Sequence, residues 1–251
     1  MTAAADALTG PAALRRAQRR DQALLLALLA AASAGAWAWT VWMAERMGGH
    51  HGHVHGLGLW PLFAMWAVMM AGMMIPPEVP VLLRLARTRR ERLGRSPLSG
   101  TAAFLLGYLV PWTAFSLGAA ALQALLQARG LMDHGMATTS RELAGALLLA
   151  AGAVQLSPLK RACLDRCSAA PSGRSGGAAA SLAAGFGYGT ISIASCGLLM
   201  LILFATGVMS LPWMILLTAL LLAEKVAPRP WRLPAAIGVL LVAWGVLTLA
   251  S

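Results

Sequence analysis

Seven long apolar runs, separated by arginine-rich or glycine-rich segments, constrain this chain more than any other feature. They cover Asp21–Ala44, Trp60–Leu85, Thr101–Gln127, Leu143–Leu156, Leu182–Phe204, Leu211–Ala223 and Leu233–Leu249. About 20 mostly apolar residues suffice for a helix to cross a bilayer. With 59% hydrophobic and 12% charged residues among 251, the chain carries too much apolar surface for a soluble domain to bury. The expected fold is all-α: a polytopic transmembrane bundle of about seven spans. A basic tail over residues 1–20 precedes a single domain over 21–251. The fourth, sixth and seventh runs are short, which leaves their ends soft.

The first run also admits a cleaved signal peptide, with Arg15–Arg20 ahead of an apolar Leu24–Ala32 and small residues over Ala31–Ala36. A retained helix is favoured because apolar character continues through Trp37, Trp39 and Trp42, an aromatic belt for the outer interface. Asp21 is the expected N-cap of this span and Ser99 that of the third.

The net charge of +11 would suggest nucleic acid in a soluble protein. Its distribution points elsewhere. With the N-terminus inside and the C-terminus outside, 17 of the 20 Lys and Arg residues fall in cytoplasmic segments, chiefly Arg15–Arg20 and the loops 84–99 and 157–180. That is a strong positive-inside bias, and anionic headgroups of a lipid bilayer account for the arginines without nucleic acid. The expected location is a bacterial inner membrane, multi-pass.

Chemistry concentrates on the opposite face. The outer loop 45–59 contains His50, His51, His53 and His55 among glycines, and the next outer loop adds His134, so all five histidines share one side. Neutral imidazole is the commonest protein metal ligand, and glycines let a short loop fold several rings around one ion. Met43, Met47, Met132 and Met136 nearby add thioethers, which favour Cu(I). The competing reading is a solvated or pH-sensitive loop.

Within the second span, Met65, Met69 and Met73 lie at i, i+4 and i+8, and Met70 and Met74 line the adjacent face. They form either a soft-ligand ladder or flexible core filling. Pro76 and Pro77 are expected to break this helix. Glu78 follows, either as an intramembrane carboxylate with a function or as a wetted residue beyond the span.

Ser157-Pro158 reads as a cap and N1 proline opening a short cytoplasmic helix. On it Cys163 and Cys167 share one face at a C-x3-C spacing, which matches neither the usual structural-zinc nor the thioredoxin pattern. They are either metal-binding thiolates or ordinary reduced thiols. Cys196, mid-way along the fifth span, lies one turn from Met200.

These motifs together resemble a family of bacterial integral membrane proteins described as predicted metal-binding membrane proteins (DUF2182), also called copper-chaperone-like. The likeness runs from about Trp37 to Trp244. It rests on the His/Met/Gly loop, on Met65-Trp66…Met69-Met70…Met73-Met74…Pro76, on Gln155-Leu156-Ser157-Pro158-Leu159-Lys160 with Cys163 and Cys167, and on Glu224-Lys225. Where members carry a CLGCC cluster, only Cys196 remains, with Ser192 and Ser195 at the other cysteine places.

The resemblance implies a membrane protein handling a copper ion or another soft transition metal, with a cuproenzyme or periplasmic metallochaperone as partner. Rival classes are a metal-free membrane scaffold and a membrane thiol oxidoreductase using Cys163 and Cys167. No P-loop, HExxH, GxSxG or dinucleotide fingerprint supports an enzyme.

Overall fold

The computed structural model describes residues 11–48, 58–93, 96–133, 135–168, 177–226 and 232–250. Among them the regular structure is helical: α1 (Pro11–Gly48), α2 (Leu59–Leu93), α3 (Leu98–Ala128), α4 (Arg141–Leu156), α5 (Pro158–Ser168), α6 (Ala178–Leu201), α7 (Leu203–Thr206), α8 (Leu211–Val226) and α9 (Arg232–Ala250). Five helices are long and apolar enough to cross a membrane: α1, α2, α3, α6 continued through α7, and α9. A sixth span results if α4 and α5, bent by 63° at Ser157, are one crossing. The chain is therefore a helical membrane protein. At 1.5 Å per residue, the 16-residue α4 and α8 each reach only about 24 Å, less than the roughly 30 Å of a hydrocarbon core.

Two helix pairs approach closely through glycines, the usual way to gain packing where lipid removes the hydrophobic drive. A Cβ on Gly107 of α3 would collide with the Leu182 carbonyl of α6, and one on Gly185 with the Phe104 carbonyl. Gly152 of α4 and Gly238 of α9 form the second seam, where a Cβ on Gly152 would stand 2.9 Å from the Gly238 carbonyl. Helix α2 is the hub, packing against α1, α3 and α8.

Three local expectations are overturned. The Pro76–Pro77 pair and Pro80 do not break α2, which is helical throughout. The Gly72 carbonyl, robbed of its partner by Pro76, instead accepts the Trp37 indole N–H from α1 at 3.2 Å, with the Ser33 hydroxyl at 3.5 Å. A neighbouring helix thus satisfies the group the proline frees. Asp21 caps nothing, because α1 begins at Pro11. It is buried and paired with Arg90 of α2 at 3.4 Å. Ser99 lies inside α3, which starts at Leu98 behind Pro97 and has no side-chain cap.

The Ser157 cap and N1 proline hold: the Lys160 amide donates to Ser157 Oγ at 3.2 Å. The short helix they open is not a free surface element, since Lys160, Cys163, Leu164 and Cys167 are all buried.

Candidate metal-handling core

The soft donors occupy the hub. Met65, Met69, Met70, Met73 and Met74 are each no more than 2% exposed and share one core cluster with Met132, Met136, Met200 and Met214. Because α2 is surrounded here, both methionine faces are inward. Trp66, between them in sequence, stacks on Phe204 (centroids 5.3 Å apart) and donates its indole N–H to Gln123 Oε1 at 2.6 Å. Gln123 in turn donates to Met136 Sδ at 3.4 Å.

Met136 arrives from a tight turn after α3. The Asp133 amide donates to the Ala137 carbonyl, the Ala137 amide to Asp133 Oδ1, and Met132 bridges Thr138. Met136 adopts a left-handed backbone (φ 57°), uncommon for a residue other than glycine and costing on the order of 1–3 kcal/mol. The turn tolerates it because the Met136 carbonyl accepts the Val208 amide and the Met136 thioether is buried against Gln123. His50, His51, His53, His55 and His134 lie outside the described residues.

The second feature is a set of buried charges beside the methionines. Lys160 is completely buried, donates to Glu224 Oε2 at 2.7 Å and to the Ser195 carbonyl at 3.1 Å. Gln155 Nε2 donates to Glu224 Oε1 at 2.9 Å. The ends of the two short helices, α4 and α8, therefore meet at one carboxylate, with the ammonium supplied from the first turn of α5. The next residue, Lys225, pairs with Glu78 and lies 5.7 Å from the centre of the Tyr188 ring. Glu78 is 2% exposed, so it lies inside the bundle and not beyond the span.

Lys160 and Lys225, expected as loop charges, are instead helix residues paired with buried carboxylates. Arg161 and Arg166 of α5 are exposed, while Lys160 pairs with Glu224.

Cys163, Cys167 and Cys196 are all free and buried. Cys167 lines a small crevice with Pro80, Val81, Arg84, Leu164 and Lys225, and its carbonyl accepts the Tyr188 hydroxyl at 3.5 Å. The Cys196 thiol donates to the Ser192 carbonyl at 3.0 Å, and Met200 follows one turn on, fully buried. Ser195 thus joins the Lys160 network through its carbonyl, and Cys196 lies within electrostatic range of Lys160. Among the described residues, no three His, Cys, Asp or Glu side chains are arranged to hold a metal ion. A site built there needs thioethers in its donor set.

Sequence reasoning singled out Glu78, the methionines and the cysteines but missed the pairing of Lys160, Glu224, Lys225 and Gln155. The only signal was that these four stand in the segments that carry the family resemblance.

Buried thioethers beside buried ion pairs, in helices long enough to span, define a polytopic membrane protein with a soft, metal-compatible interior. A family model described as PpoB2, a copper chaperone, matches residues 63–248, and the chain belongs to that family. The match contains the methionine hub, both ion pairs and all three cysteines. No curated protein and no solved structure gives a match.

Proposed function

We propose that the protein is a bacterial inner-membrane copper chaperone that captures Cu(I) at its outer face and passes it inward between weak sites. His50, His51, His53 and His55, with His134, make the capture site. Met65, Met69 and Met73, flanked by Met70 and Met74, form the relay, and Cys163, Cys167 and Cys196 supply thiol stations beyond it. The chain crosses the membrane about seven times, with α8 a short crossing, the N-terminus inside and the C-terminus outside. A cuproenzyme or a periplasmic metallochaperone is its partner at the outer face, and the chain catalyses no reaction.

The observation that carries this reading is the burial of nine thioethers in one core cluster built around α2. Filling space alone does not call for this: leucine or isoleucine packs with better-defined rotamers, whereas a thioether adds affinity for a soft cation. Ligand exchange between neighbouring sulfurs moves the ion without returning it to water. Steps of i to i+4 advance it about 6 Å per methionine along the helix.

The test is elemental analysis of the full chain purified under copper-replete, reducing conditions, beside a variant with the four loop histidines replaced by alanine. Wild type is expected to retain copper in stoichiometric amount and the variant to lose most of it. Wild type without stoichiometric copper would sink the proposal.

A further inference from the structure

Because α2 stays helical through its prolines, Met70, Met74 and Glu78 keep the i, i+4, i+8 register and lie on one face. The methionine ladder therefore ends on a carboxylate one turn below its last thioether. One oxygen of that carboxylate takes Lys225. The other, Oε2, is buried and makes no hydrogen bond of ordinary geometry among the described residues; the Tyr188 hydroxyl interacts with the carboxylate, and Tyr108 lies within its electrostatic range. A buried carboxylate oxygen left without a donor is costly and uncommon, and it is competent to accept a cation.

We propose that Glu78 is the terminal cation site of the ladder, and that Lys225 is a tethered stand-in that holds the carboxylate when no ion is present. This deepens the copper reading and rests on it. An empty site stays neutral because the ammonium balances the carboxylate. A monovalent ion stepping off Met74 takes the ammonium's place at the carboxylate, and the extra positive charge leaves with the displaced ammonium.

The displaced ammonium has somewhere to go. On one side is the face of Tyr188, already 5.7 Å from Nζ, a cation–π partner. On the other is the crevice that Lys225 lines with Cys167 and Arg84. When Lys225 returns, it expels the ion toward that crevice, where the Cys167 thiol is the nearest soft ligand. The neighbouring Lys160–Glu224 pair has a different design. Its carboxylate is taken by Lys160 on one oxygen and Gln155 on the other, so it offers an arriving cation no comparable vacancy and acts as the fixed reference.

The test is competition of the purified full chain with a Cu(I)-selective chelator under anaerobic conditions, using Cu(I) alone as the probe. Wild type is compared with Lys225→Leu and Glu78→Gln, and folding is followed by circular dichroism. Lys225→Leu is expected to tighten Cu(I) retention about tenfold by removing the competitor without adding a soft ligand, and Glu78→Gln to weaken it about tenfold. Opposite signs are the signature, because a merely structural ion pair would respond to both substitutions in the same direction.

Equal retention in all three proteins, or a shift of the same sign in both variants, would overturn the inference. If Lys225→Leu does not fold, Glu78→Gln alone decides, and unchanged retention there overturns it. Failure of wild type to bind any Cu(I) would instead remove the copper reading beneath it.

Discussion

The methionine hub and the Lys160–Glu224 network lie in one bundle yet solve opposite problems. Around α2 the interior is soft: thioethers, an indole stacked on a phenyl ring, and one amide, Gln123, joining Trp66 to Met136. Such groups carry no net charge and exchange neighbours at little cost. At the ends of α4 and α8 the interior is hard. Lys160 at 0% and Glu224 at 2% exposure are each locked by more than one partner. The difference teaches that rigidity and permissiveness are allocated separately. The charges fix where two short helices stop, and the thioethers form the uncharged core through which the proposed relay would run.

The sharpest way to break this contrast is to remove one charge from the hard region. Lys160→Met leaves the Glu224 carboxylate buried without its cation, which is expected to cost about 3–5 kcal/mol. Thermal unfolding in detergent should show a large fall in midpoint. The double variant Lys160→Met/Glu224→Gln is expected to recover most of the loss, since a neutral replacement leaves no uncompensated charge. If the single substitution were as mild as a surface change, the pair would not be the structural lock described here.

Much of the architecture is legible in the sequence because lipid demands it: apolar runs of spanning length can be counted, and α1, α2, α3, α6 and α9 were all anticipated. What was not legible depends on partners distant along the chain. The prolines of α2 looked like a break because the rescue of Gly72 comes from Trp37, 35 residues earlier on another helix. Lys160 and Lys225 looked like loop charges because they follow the apparent ends of short spans. Their carboxylates lie 64 and 147 residues away in sequence. Glu78 was visible as an anomaly, but its partner was not. The methionine spacing gave the faces correctly. It could not say that both faces are buried, which depends on α2 being surrounded.

A smaller effect sharpens the boundary between the two regions. Trp37→Phe keeps an aromatic, though smaller, side chain but removes the donor to the Gly72 carbonyl, leaving the more distant Ser33 hydroxyl. An unsatisfied buried acceptor costs about 1–3 kcal/mol, and the remaining hydroxyl argues for the lower end. The continuity of α2 through Pro76 should weaken with it, so hydrogen exchange of amides around residues 72–78 is expected to rise more than elsewhere. Uniform exchange changes across the bundle would show that the indole does not support the proline segment in particular.

The least stability change, and the most telling function change, is expected from Met69→Leu/Met73→Leu. Leucine nearly matches methionine in volume, and such swaps usually cost less than about 1.5 kcal/mol each. Both side chains are 1% exposed or less and make no polar contact that leucine would forfeit, so the unfolding midpoint should move little. Copper retention should fall sharply, because the two thioethers are consecutive steps on one helical face. This inverts the Lys160 result, in which stability collapses first. Retention of full copper binding by a well-folded double leucine variant would make these methionines packing residues, and the soft region would then differ from the hard one in charge alone.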